Sequence, residues 1–269
     1  LTAVFGSATV GHRIDIEATL TNCFERHGIA HLSPSSINTY AASPAAFVID
    51  KILKRKGEVG PAAHRGTATE SGVVLGLTTD ATTEECIKHA DQEFWRLTAM
   101  SSDPRREKER AAVGEMVKVG LAELKPYGRP TSTQGKIEYR VEGLLVPLIG
   151  FYDVEWANHK ILIDLKTTHA LPSQIKITHA RQVALYVAAK GGDVDARLTY
   201  VTPKKCATYR LENVQEHVRA LENIAMTIQR FLSISEDPQE LASIVVPDLE
   251  SFYFNDPAMR QAAYEVWKI

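Results

Sequence analysis

Cysteine is scarce in this chain. Only Cys23, Cys86 and Cys206 occur in 269 residues, far apart and without a C-x-x-C pair. This excludes a disulfide framework and leaves reduced, partly buried thiols of a cytoplasmic protein as the simplest reading. Long apolar runs are lacking too. No stretch of eighteen apolar residues occurs, and the N-terminus shows no basic-then-apolar signal pattern, so a soluble, non-exported protein is expected. The chain opens at Leu1 rather than methionine, from which a few further native residues ahead of it are expected. An excess of one charge is also missing. The net charge is −2, so nucleic-acid binding would have to use local basic patches. There is no G-x-x-x-x-G-K-[ST], no G-x-G-x-x-G after a strand, no G-x-S-x-G and no H-E-x-x-H. ATP-driven motor activity within the chain is thereby disfavoured. Internal repeats and low-complexity segments are absent.

What is there is an ordinary globular composition, 44% hydrophobic and 24% charged, in a chain long enough to bury a sizeable core. Residues 14–27 have Ile16, Leu20 and Phe24 on one face of an expected helix. Ser33-Pro34 and Ser43-Pro44 each read as a serine cap with proline in the first helical position. The second helix ends in a basic run, Lys51, Lys54, Arg55 and Lys56, which suits either the helix dipole or a phosphate. A loop at 57–64 leads into a helix from Gly66, with Glu70 in its first turns. Further helices are expected at 84–97, after a Thr83 cap, and from Asp103-Pro104 to about Lys125. The loop at 126–133 separates this helical front from strands at 136–141 and 144–156. A hairpin follows, then a helix at 172–189, strands at 197–202 and 206–211, and a long amphipathic helix from Val214 to Phe231. The tail, with Phe252, Tyr253, Phe254 and Trp267, is expected to dock on the body or on another subunit. The expected class is α/β (α+β), a small mixed β-sheet flanked by helices. We expect a single domain over 1–269, made of a helical part at 1–130, a sheet-and-helix core at 131–235 and a tail at 236–269.

The informative stretch runs from Gly150 to Thr168. Two β-rich runs, Leu148–Trp156 and Ile161–Thr167, flank a polar break at 157–160 that reads as a hairpin turn centred on Asn158-His159, asparagine tolerating positive φ. If the turn is symmetric, paired positions sum to 317 and Asp153 faces Asp164. Alternation then places Tyr152, Val154, Trp156, Ile161, Ile163 and Leu165 on an apolar face, and Asp153, Glu155, Asp164 and Lys166 on the other. Opposed like charges are destabilising, so a cation between the two aspartates is expected, with oxygen-ligated Mg²⁺ or Mn²⁺ the economical choice. The competing reading is a pair of exposed acids neutralised by Lys166 or Lys160, an arrangement that contributes only about 0–1 kcal/mol.

Asp164-Leu165-Lys166 preceded by Asp153 resembles the active-site core of the PD-(D/E)XK nuclease superfamily. Gln182 and Tyr186, four apart on the next helix, match the Q-x-x-x-Y motif of its RecB-like and phage-exonuclease branch. Arg65-Gly66-Thr67-Ala68-Thr69-Glu70 resembles that branch's first motif, and Ser33 to Tyr40 its usual opening segment. The resemblance implies a restriction-endonuclease-like nuclease core. It implies metal ligands from Glu70, Asp153, Asp164 and the Leu165 carbonyl. Lys166 would act as an electrostatic catalyst, since a lysine among anions stays protonated. It further implies DNA contacts from Gln182 and Tyr186. Arg65, Ser35 and Arg181 are separate candidate phosphate contacts. Some RecB-like relatives carry a four-cysteine iron–sulfur cluster, for which this chain has too few cysteines. Glu155 reads as an exposed sheet-face acid rather than a spare metal ligand, and His64, His169 and His179 as ordinary polar histidines without metal-ligand spacing.

The expected function is therefore a Mg²⁺- or Mn²⁺-dependent DNA exonuclease acting on duplex ends in recombination or repair. A single-strand annealing protein or a helicase would be its partner, and a homo-oligomer its form. The rival expectations are a non-catalytic DNA-end-binding protein and a flap or single-strand endonuclease.

Overall fold

The computed structural model describes residues 22–55 and 57–269. Most of the helix expected at 14–27 therefore lies outside the described residues, and only α1 (Cys23–Arg26) is seen of it. Helix α2 (Pro34–Ala42) starts as the sequence dictates, with Ser33 and Ser36 forming a reciprocal capping box. Helix α3 (Pro44–Phe47) is capped by Ser43 and runs into a π-helical segment, Val48–Ile52.

Three long helices follow, α4 (Pro61–Thr78), α5 (Thr83–Leu97) and α6 (Arg106–Leu124). Helix α4 starts at Pro61 rather than Gly66, because proline in the first turn is pre-set for helix and has no amide to leave unpaired. The α5 cap is Thr82, one residue earlier than expected, boxed by Glu85.

Strands β1 (Ser132–Tyr139), β2 (Leu148–Trp156) and β3 (Ile161–Thr167) come next. Helix α7 (Ile177–Ala189) crosses over to β4 (Asp195–Val201), and β5 (Cys206–Arg210) pairs back on it. Helix α7 is five residues shorter at its start than the sequence suggests. The chain closes with α8 (Val214–Leu232), α9 (Pro238–Ser243) and α10 (Pro257–Trp267).

The five strands stand in the order β1-β2-β3-β4-β5, antiparallel except for the β3/β4 pair. A parallel pair needs a crossover connection, and α7 supplies it. The result is the mixed sheet flanked by helices that the sequence predicts. Leu148, Leu162, Leu198 and Tyr200 join α7 and α8 in one core. Val154, Trp156, Ile163 and Leu165 join α4, α5 and α6 in a second core on the opposite face. The tail docks on the body, Phe254 and Met259 packing with Ala45, Ala46 and Ile49, and Trp267 donating its indole N–H to the carbonyls of Ala242 and Val245.

Candidate active site

The hairpin register is as expected. Val154 pairs with Ile163, Glu155 with Leu162 and Trp156 with Ile161, each summing to 317. The turn differs in detail: residues 157–159 form a short 3₁₀ turn, and the positive φ falls on Lys160 at 53° rather than on Asn158. The ladder ends at Val154, one residue short of Asp153.

The cause lies in β2. Leu148 and Tyr152 belong to the α7 core, and a Cβ on Gly150 would come 2.9 Å from the Tyr186 ring of that helix. Val154 and Trp156 belong to the opposite core. The strand thus changes faces at Asp153, which corrects the placement of Tyr152 beside Val154. The neighbouring strand turns at the matching place, where Gln134 has φ +50° and drops out of the pairing between Thr133 and Gly135. A side chain at such a crossing points along the sheet rather than out of it. Asp153 Oδ2 accordingly accepts the backbone amide of Leu165 at 2.6 Å.

Asp164 is fully buried under α7. Its Oδ1 accepts from Gln182 Nε2 at 3.1 Å and stands 3.1 Å from the Tyr186 hydroxyl. Tyr186 also reaches the Phe151 carbonyl at 2.6 Å, across the gap where β2 and β3 part. Gln182 Nε2 donates to the Tyr186 hydroxyl at 2.6 Å. The Lys166 ammonium lies 2.6 Å from Asp164 Oδ2. No hydrogen bond of good direction reaches that oxygen, so it keeps an ion-pair partner and a free lone pair.

Glu70 stands at the tenth position of α4, far past the first turn where the dipole acts. The helix dipole therefore gives this acid no stabilisation, and it is not in the first turns as the sequence suggests. Its Oε1 accepts from Gln134 Nε2 at 3.2 Å. Burial, and then the Asp164 charge, push its carboxyl above the ordinary range, against the pull of Gln134, Lys166 and Asp153. Burial, together with the charges of Asp164 and Glu70, holds Asp153 well above its ordinary value. Burial alone would depress Lys166. The carboxylates of Asp164, Asp153 and Glu70 outweigh it and keep the ammonium protonated beyond the usual lysine range.

Among the described residues, no three His, Cys, Asp or Glu side chains stand in a ready-made ion cage. One oxygen of Asp153 is occupied by an amide, and Lys166 lies against Asp164. The donor chemistry nevertheless fits a hard divalent cation. Three mutually repelling carboxyls converge, two of them reluctant to ionise, and a buried aspartate oxygen lacks a directed partner. Asp153, Asp164, Glu70 and the Leu165 carbonyl would hold such an ion.

The other candidates fall in different places. Arg65 is buried, its guanidinium paired with Glu109, 2.9 Å from His169 Nε2 and near the Thr167 carbonyl. It faces the end of β3 rather than solvent. Ser35 is exposed on the first turn of α2, hydrogen-bonded to Ser33. Arg181 donates to Asn38 Oδ1 at 3.2 Å, tying α7 to α2. Glu155 is not an exposed acid. Its side chain takes Lys190, Tyr152 and Ser132 as partners. His169 belongs to the Arg65–Glu109 cluster. His179 bonds the Tyr200 hydroxyl at 2.8 Å, and burial, helped by the Lys166 charge, lowers it to about 4. Gln134 and Glu109 escaped the sequence reading. Neither carries a local signal, since a glutamine at positive φ and a helical glutamate acquire meaning only from distant partners.

A family model described as the PD-(D/E)XK nuclease superfamily matches residues 31–252. None of the curated proteins matches the chain. A solved structure described as "Crystal structure of SSO0001" is similar over 59% of this chain and 74% of its own, with 17% identity and a TM-score of 0.33.

Proposed function

This chain belongs to the PD-(D/E)XK nuclease superfamily, and from that premise we propose that it is a Mg²⁺- or Mn²⁺-dependent exonuclease of the RecB-like, phage-recombination branch. It hydrolyses phosphodiester bonds at the ends of duplex DNA. The mixed sheet flanked by helices is consistent with the restriction-endonuclease-like fold, and nucleases of the superfamily generally use divalent metals. The observation that supports the finer reading is the convergence of Asp153, Asp164, Lys166 and Glu70 where β2 and β3 part. Gln182 and Tyr186 hold Asp164 from the next helix.

A divalent ion bound by these carboxylates supplies a Lewis acid for the scissile phosphate and eases deprotonation of water. The protein's own groups do the rest. Lys166, charged at all working pH, offsets negative charge growing on the phosphate. Gln182 and Tyr186 fix the orientation of Asp164 and border the path of the DNA strand. We place it beside a single-strand annealing protein or as the nuclease partner of a helicase.

The test is end-labelled linear duplex and closed circular DNA incubated with Mg²⁺, Mn²⁺ or EDTA. Release of nucleotides from the linear form alone, only with metal, is expected. Binding without metal-dependent release would leave an end-binding protein instead, and cutting of the circle would make the enzyme an endonuclease.

A further inference from the structure

Phe151 is 57% exposed although it sits on β2, an inner strand with neighbours on both sides. Gly150 and Tyr152 on either side of it face α7, so the Phe151 ring emerges on the other face of the sheet. Its direct cross-strand partner is Lys136, which is exposed and enters no ion pair among the described residues. Two residues along β2 stands Asp153, about 6.5–7 Å away between Cα atoms. On β1 the same direction leads to Gln134, the residue that holds Glu70. In the opposite direction the nearest acid, Glu138, is neutralised by Arg140 at 2.7 Å. The Phe151 backbone is fixed by the Tyr186 hydroxyl on its carbonyl.

We propose that Phe151 and Lys136 seat one unpaired nucleotide of the DNA strand beside the carboxylate cluster, the ring stacking on its base and the ammonium meeting its phosphate. The inference rests on the nuclease reading above. A single aromatic ring with a cation across from it matches one base and one phosphate. A stable protein interface instead buries on the order of 1,000 Å² or more, far beyond one ring and one ammonium. Every base has a π-face, so such a platform is indifferent to sequence. Within a duplex those faces are taken by stacking neighbours, so the occupant is a base freed from its pair at a frayed or single-stranded end. The site thereby reads strand separation rather than sequence.

The experiment is fluorescence anisotropy of a fluorescein-labelled single-stranded oligonucleotide, titrated in EDTA so that no cleavage intervenes. Phe151→Ala should weaken binding about tenfold, equivalent to about 1.4 kcal/mol, with an unchanged thermal melt. Phe151→Trp should keep the affinity and gain fluorescence that the oligonucleotide quenches. Lys136→Ala should flatten the salt dependence by about 0.7 in the log–log slope. Wild-type affinity in Phe151→Ala and Lys136→Ala, in an enzyme whose parent degrades linear DNA, overturns the seat and leaves the nuclease reading standing. A changed sedimentation coefficient with unchanged DNA affinity also overturns it, marking the ring as a contact between copies. A parent with no metal-dependent release sinks both.

Discussion

Asp153 and Leu165 are joined by a hydrogen bond from backbone to side chain, amide N to Oδ2 at 2.6 Å, where the strand ladder has just ended. The carboxyl thus replaces a missing ladder partner while sitting in surroundings that disfavour its charge. Asp153→Asn keeps an acceptor for the amide and removes the charge. In EDTA we expect it to melt higher than the parent, because burial and neighbouring charges disfavour the ionised carboxylate. Mn²⁺ binding by calorimetry should disappear, and turnover should fall by orders of magnitude. A lower melting temperature with metal binding intact would contradict the assignment.

The raised carboxyls of Asp153 and Glu70 also fix a pH dependence. Between the ordinary carboxylate range and their elevated native values, the native state binds protons that the unfolded chain has released. Stability therefore falls as pH rises through that window. Melting curves in EDTA should show this decline, flattened in Glu70→Gln and Asp153→Asn. Adding Mn²⁺ should expel the retained protons, visible as a dependence of the binding enthalpy on the buffer's ionisation enthalpy.

Lys166 balances a fully buried carboxylate. Lys166→Ala should abolish turnover to within a residual of orders of magnitude below the parent. It should also cost roughly 3–5 kcal/mol, the usual penalty for orphaning one member of a buried pair. The double variant Lys166→Met/Asp164→Leu should recover most of that stability with no activity. Stability that stays lost in the double variant would mean that the lysine's packing, not its charge, is what matters.

Arg65 is held by Glu109 and His169 beneath the end of β3. Arg65→Ala should unfold the protein at markedly lower temperature, again by about 3–5 kcal/mol. Were the residue mainly a DNA contact, the melt would be unchanged and only affinity would drop. Circular dichroism and anisotropy on the same preparation separate the two.

Gly150 lets α7 approach β2. A methyl there would come 2.9 Å from the Tyr186 ring, which is fully buried and has nowhere to retreat. Gly150→Ala should destabilise by about 1–3 kcal/mol and reduce turnover beyond what the melt explains, since Tyr186 holds Asp164. Tyr186→Phe should lose only the hydroxyl's bonds, about 1 kcal/mol of stability.

Much of this arrangement is legible in the sequence because it is local. Serine-proline caps, the register of a four-residue turn and the i, i+4 spacing of Gln182 and Tyr186 each depend on residues a few positions apart. The start of α4 is local as well, since Pro61 occupies the first helical position. Tyr152 was misplaced because strict alternation assumes an unbroken strand, and nothing in a glutamine announces that Gln134 adopts a left-handed backbone. Arg65 reads from sequence as a candidate phosphate contact because its partner Glu109 lies 44 residues away. Their pairing joins α4 to α6, and no local pattern records it.

The cluster draws its groups from segments well separated in the chain, Glu70 from α4, Gln134 from β1, the aspartates from the hairpin and their supports from α7. Synthesis delivers these parts in turn, and the helix that orients Asp164 emerges after the aspartates themselves. A nascent chain thus lacks the support of Asp164 until translation has passed α7. Fragments ending near residue 170 should accordingly be inert towards DNA, and a fragment that cut it would refute this.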